Sequence, residues 1–274
     1  MSISVSTIMY GPYHLDAVWP LLETEGSGQI GIEVFPYYHL TYFEQVLKQN
    51  VQRLKGCPIS VHCPYFSTDP CFSPGTMEYN LNMDYYKKAF ACAQLLNAKY
   101  MVHHFYNFHF AVEEREKKQD IAMENLVRFK ALAKEYGVAL ALENTEITRN
   151  PAENMFTQEE FIRIVLEQTG CKALIDIGHA NCAGWDLLEL IRTLKDQIVG
   201  YHVHNNDGFH DSHRRILDGT LDIKQFLRSA RQYTPDADYT IEYVADFNSV
   251  ESVCKDIAFL KKGGLAEVAH ICQV

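Results

Sequence analysis

The chain has 274 residues, 47% of them hydrophobic, enough for one large core or two small ones. Its 35 acidic and 25 basic residues leave a net charge of −10, which disfavours nucleic acid as a partner, because gripping phosphates calls for a basic face. No run of about 18 apolar residues occurs, so no membrane span is expected. Eight scattered cysteines without a C-x-x-C pair read as reduced thiols and exclude a zinc ribbon.

The opening "MSISVSTIMYG" lacks a basic region followed by a long apolar stretch, so no secretory leader is expected and the cytoplasm is the expected compartment. Short apolar, β-branched runs then alternate with segments of helical period. Strands are predicted over 3–9, 30–36, 59–64, 100–105, 138–145, 172–178, 199–205 and 239–244. The segments between them, from "TYFEQVLKQNVQRL" to "DIKQFLRSARQY", carry apolar residues at helical spacing, with acidic first turns or a distal glycine. "SVESVCKDIAFLKKGG" closes the series, and the first helix, around "LDAVWPLLETEG", is the weakest because Pro20 interrupts it. Eight strands each followed by a helix, in a chain of this size, predict an α/β fold of the (β/α)8 TIM-barrel class, taken as a single domain over 1–274. An open doubly wound sheet would advertise a glycine-rich first turn, and no G-x-G-x-x-G or G-x-x-x-x-G-K-[ST] is present.

The ionisable residues fall in a pattern. Glu33, His62, His104, Glu143, Asp176, His204 and Glu242 each lie at or near the C-terminal end of a predicted strand. In a barrel those ends surround one mouth, where the active site is built. Buried carboxylates and imidazoles there need partners to offset their desolvation, and a shared metal is one such partner. Asp176 and His179 form D-x-x-H across a strand end and its turn. Asp211 and His213 form D-x-H in the histidine-rich stretch "YHVHNNDGFHDSH". His202 and His204 share one strand face, and His204, nearer the rim, is the expected ligand, with His202 left to a supporting or core position. His103 and His104 face opposite sides, so only one can line the barrel. Glu33 either faces substrate or anchors the barrel. Nitrogen and carboxylate ligands without thiolate suit Zn, Mn, Fe or Co better than Mg.

The motifs "ENT", "DIGHAN", "HVHNND", "DSH" and the last-strand glutamate resemble those of the xylose isomerase-like TIM-barrel superfamily. That group unites sugar isomerases and epimerases with apurinic/apyrimidinic endonucleases of the endonuclease IV type, and the resemblance runs from "GIEVFP" to "YTIEYV". In the isomerase and epimerase branch it implies one divalent metal held by Glu143, Asp176, His204 and Glu242, with the two glutamates moving the proton. In the endonuclease branch it implies three zinc ions held by His62, His104, Glu143, Asp176, His179, His204, Asp211, His213 and Glu242. The spacing from Asn97 favours His104 over His103 as the family's histidine. The chain departs from the family pattern at Phe105 and Tyr106, where Pro-Gly is common, and at Asp218 in "LDGT".

The expected activity is therefore a divalent-metal-dependent isomerase or epimerase of a sugar, sugar phosphate or keto-polyol. The ion would be Zn, Mn or Co, one per chain and up to three. Glu143 or Glu242 removes the proton α to a polarised carbonyl and the other returns it. Glu33, His179, His213 and Arg215 are the expected substrate contacts, with Arg215 able to meet a phosphate. The alternative is an endonuclease IV-like phosphodiester hydrolase with a di- or trinuclear zinc site. Charge arithmetic separates the two: four ligand carboxylates with one divalent ion leave about −2, and with three about +2, the latter suiting a phosphodiester. Self-association into a homo-oligomer stays open.

Overall fold

A computed structural model describes residues 2–12, 15–26, 28–168 and 170–264. All eight predicted strands form: β1 (Ile3–Ser6), β2 (Gly31–Val34), β3 (Ile59–Val61), β4 (Met101–His103), β5 (Leu140–Glu143), β6 (Cys171–Asp176), β7 (Ile198–Val203) and β8 (Asp238–Ile241). They pair in parallel and in chain order. β1 also pairs with β8, Val5 lying opposite both Ile32 and Ile241, so the sheet closes into a barrel. This is the TIM barrel the alternation predicts.

Around it lie α1 (Trp19–Glu25), α2 (Phe43–Leu54), α3 (Met77–Leu95), α4 (Arg115–Tyr136), α5 (Gln158–Glu167), α6 (Ile177–Ala183), α7 (Leu187–Thr193), α8 (Ile223–Tyr233) and α9 (Val250–Lys261). Pro20 does not interrupt α1. It sits in the first turn, where its missing N–H costs nothing. The strands end earlier than hydropathy suggests, because polar side chains at their ends turn the chain. Beyond Ser6 the segment Thr7–Tyr10 is a 3-10 turn. β6 stops at Asp176, whose carboxylate accepts the His179 N–H at 2.7 Å and so caps α6. "DIGHAN" is therefore a strand end opening a short helix, not a turn.

Period-two alternation sorts each strand into an inner and an outer face. Tyr100, Val102, Ala141 and Leu174 form a small cluster of their own inside the barrel, separate from the large core between strands and helices. Residues two further along β4, β5 and β6 are His104, Glu143 and Asp176, on the inner face at the mouth. His103 points outward, its ring 5.0 Å from that of Phe129 and its Nδ1 3.3 Å from the Tyr86 hydroxyl. Burial there pushes its imidazole down to about 3, so it is a neutral core histidine. The alternative between His103 and His104 is thus settled by which face each occupies.

Seven cysteines lie among the described residues, all with free thiols and most of them buried, and Cys272 lies outside those residues. Among the described residues no helix is long and apolar enough to cross a membrane.

Candidate metal centre

Three groups of donors meet at the barrel mouth. In the first, one ligand atom each from Glu143, Asp176, His202 and Glu242 all lie within 4.8 Å of one another, and all four residues are buried. His202 Nδ1 is 3.1 Å from Glu143 Oε1, 3.1 Å from Glu242 Oε2 and 3.7 Å from Asp176 Oδ2. The second group is His179, His204, Asp211 and His213. Asp211 Oδ2 is 3.0 Å from His213 Nε2 and 3.3 Å from His179 Nε2, and the rings of His204 and His213 stack at 3.8 Å. The third lies on the opposite side of Glu143, where His104 Nε2 is 2.9 Å and His62 Nε2 3.8 Å from its Oε2. Cys63 completes this third group, with burial pushing its thiol up to about 12 in the absence of an ion.

Second partners fix the imidazoles. Nδ1 of His62 donates to the Cys63 carbonyl (2.8 Å), that of His104 to the Asn107 side-chain oxygen (3.0 Å), that of His179 to the Asn144 carbonyl (2.9 Å) and that of His213 to the Glu242 carbonyl (2.8 Å). An acceptor-only oxygen demands a proton on Nδ1, so all four rings turn Nε2 toward the carboxylates, where it can offer a lone pair to an ion. This outer support is what metal-bound histidines show. Among the described residues, buried His204 Nδ1 and Asp211 Oδ1 have no hydrogen-bond partner. The carboxylates of Glu143, Asp176 and Glu242 have only histidines as ionic partners there. Such a donor set, short of positive charge and free of thiolate, fits a divalent ion of the zinc, manganese or cobalt kind.

Electrostatics agree. Burial alone would raise the Glu143 and Glu242 carboxyls, but His202 outweighs it and both lie well below the usual carboxylate range. Burial lowers the His202 and His179 imidazoles, yet the surrounding carboxylates carry both well above the ordinary histidine value. His213 rises to about 9, Asp211 opposing its burial. Without a metal, protons on histidines supply the missing positive charge.

The expected residues are brought together, with three differences. His202, not His204, is the histidine among the Glu143, Asp176 and Glu242 carboxylates. β6 and β7 register Asp176 against His202, so His204 lies one step further out, its Nε2 3.0 Å from Asp176 Oδ1. Arg215 does not face the pocket. Its guanidinium forms two hydrogen bonds of 2.8–2.9 Å to Asp256 on α9, and no arginine or lysine is among the pocket-lining residues. Glu33 lies beneath the site, touching His202 and Ser60 and not the pocket.

Sequence reasoning missed the walls. The pocket holds about 220 Å³, below the ~300–1,000 Å³ of sites for drug-sized ligands, and Phe35, Tyr65, Tyr106, Phe108 and Ile147 wall it above Glu143 and Glu242. The aromatics in "VFPYY" and "HFYNFHF" were the available signal. It also missed Asn205 and Asn206, which tie the loop bearing Asp211 to Ile216 and Gly178.

Residues 22–263 match the model of the family described as "Xylose isomerase-like TIM barrel". Uncharacterized protein MJ1311 of Methanocaldococcus jannaschii is 29% identical over 115 residues, 40% of this chain, and the chain spans only 39% of that relative's length. Among solved structures, a D-tagatose 3-epimerase-like protein superposes with a TM-score of 0.75 at 20% identity, covering 96% of this chain and 97% of that one. The TTHB071 protein of Thermus thermophilus, soaked with ZnCl2, gives 0.71 at 20% identity over 97% and 100%. At these identities the two superpositions show a common fold.

Proposed function

Since the chain belongs to the xylose isomerase-like TIM barrel family, we propose that it is a divalent-metal-dependent isomerase or epimerase of a small sugar or keto-polyol. The observation that carries this reading is the pair Glu143 and Glu242. Both carboxylates are buried, both line the same small pocket, and both stand 3.1 Å from one His202 nitrogen. Two carboxyl groups on different strands, one ionised to take a proton and the other protonated to return one, are what transfer between the two faces of a substrate carbon requires.

Glu143, Asp176, His202 and Glu242 would hold the ion, which supplies Lewis-acid polarisation of a substrate carbonyl when bound. One glutamate takes the proton from the carbon α to that carbonyl, and the electron pair passes to the carbonyl oxygen. The other glutamate, having first taken a proton from solvent, delivers it to the opposite face or the neighbouring carbon and is left as the carboxylate. His179 and His213 present N–H or lone-pair groups to substrate hydroxyls from above. Phe35, Tyr65 and Tyr106 shed water from the pocket and give the apolar face of a sugar ring a wall. The D-tagatose 3-epimerase-like neighbour lends the reading support by name.

A second reading, an endonuclease IV-like phosphodiester hydrolase, is favoured by one specific observation: the second and third donor groups flank the first, enough for a multinuclear zinc site. Incubating the metal-loaded protein with ketoses in D2O separates the two. Deuterium incorporation next to the carbonyl, with an epimer or aldose formed, is the expected result. Cleavage of an abasic-site oligonucleotide without any ketose exchange would replace the first reading by the second.

A further inference from the structure

Among the site histidines, His202 is turned the other way. The four whose Nδ1 is held by an oxygen of a carbonyl or amide present Nε2 to the carboxylates, whereas His202 presents Nδ1. Its Nε2 points back into the barrel toward β2, where Glu33 Oε1 lies 3.0 Å away. We infer that Glu33 is a positioning residue for the metal centre: it holds the proton of His202 on Nε2 and so leaves the Nδ1 lone pair for the ion. The inference rests on the metal-centre reading above.

Three observations carry it. Glu33 and His202 are both completely buried, and Glu33 is anchored by the Ser60 hydroxyl, which donates to Oε2 at 3.1 Å. Glu33 Oε1 and His202 Nε2 have no hydrogen-bond partner among the described residues, whereas His202 Nδ1 is hydrogen-bonded to Glu143 Oε1 at 3.1 Å in the absence of an ion. Glu33 Oε1 and His202 Nε2 stand within hydrogen-bond length but out of line, and a buried donor and acceptor left unsatisfied in the barrel are destabilising. Finally, His202 has carboxylates at both ends. A neutral imidazole carries one proton, and with the proton on Nδ1 it would donate to Glu143 or Glu242 and have no lone pair for an ion there. A carboxylate behind Nε2 selects the other tautomer, the carboxylate–histidine–metal arrangement by which proteins orient such ligands. Glu33 neither lines the pocket nor reaches a substrate, so it acts through His202 alone.

The test is zinc affinity, measured by competition with a chromophoric chelator, in a double-mutant cycle. Glu33→Leu removes the acceptor, and Glu33→Gln keeps an acceptor oxygen without the charge. The expected result is a zinc affinity about 10–100-fold weaker for Glu33→Leu and partly recovered in Glu33→Gln, with a changed visible spectrum of the cobalt-substituted protein. In a His202→Gln background, Glu33→Leu should weaken zinc no further. An affinity within about twofold of wild type, or the same loss with and without His202, overturns the inference and leaves the metal centre standing. Should Glu33→Leu fail to fold, the same cycle with Glu33→Gln decides, because a loss that persists in the His202→Gln background again overturns it. A wild-type protein that binds no zinc overturns the metal-centre reading and this inference with it.

Discussion

Glu146 stands three residues beyond Glu143 and is as buried, yet it serves a different purpose. It accepts hydrogen bonds from the backbone N–H of Met155 (3.0 Å) and Phe156 (2.9 Å) and from the Tyr106 hydroxyl (2.8 Å). Burial nevertheless raises its carboxyl from 4.5 to about 7, outweighing those donors. The folded protein therefore keeps this proton when the unfolded chain has lost it. The contribution to stability is complete below the ordinary carboxyl value near 4.5 and disappears as pH rises through about 7. A Glu146→Gln variant should gain on wild type by about 2–4 kcal/mol between pH 4 and pH 8, read as a difference in Tm. A Tm difference that does not vary with pH would contradict this account of Glu146. The same residue scale shows where sequence reasoning succeeds and fails. Period-two parity says that only one of His103 and His104 can line the barrel, and the family spacing from Asn97 points to His104, the one the structure turns inward. The choice between His202 and His204, by contrast, needs the register of β7 against β6, which no single sequence carries.

Among the elements, the short helix α6 and the loop after β7 do the positioning. Gly178 in α6 lies against the His204 imidazole, and a Cβ there would overlap the ring. Gly178→Ala should displace His204, which stands 3.0 Å from Asp176, lower Tm by several degrees through about 1–3 kcal/mol of overpacking, and weaken metal binding through the disturbed Asp176. Unchanged Tm and unchanged zinc titration would refute it. The loop is held from outside. Arg215 clasps Asp256, and the Tyr243 hydroxyl donates to Asp256 while accepting from the Ile216 N–H. Arg215 is partly exposed, so its loss should cost about 1–3 kcal/mol, mainly from stranding the buried Asp256. Arg215→Ala should leave the ratio of KM values for a sugar and its phosphate unchanged, since the side chain is outside the pocket. A selective rise in the phosphate's KM would restore its predicted role. The loop's two asparagines and the capped start of α6 were illegible in the sequence because their function is to satisfy backbone groups that only the folded chain brings near. "DIGHAN" carried a cap signal in Asp176, hidden behind its metal-ligand reading.

For the molecule as a whole, the alternation of apolar runs and helical periods was sufficient to predict the barrel. Eight β/α units leave few other closed arrangements, and the C-terminal strand ends then have to share one mouth. What composition could not show is how the net charge of −10 is distributed. Glu33, Glu143, Asp176 and Glu242 are withdrawn from the surface into the barrel, where histidines are their close ionic partners. Concentrating carboxylates in this way is destabilising unless a cation joins them. The central claim is therefore a resident divalent ion at Glu143, Asp176, His202 and Glu242, and elemental analysis of the purified, desalted protein tests it most directly. At least about one zinc, manganese or cobalt ion per chain is expected, with a marked loss in His202→Gln. Wild-type protein carrying no transition metal, and taking none up when it is offered in excess, would contradict the account.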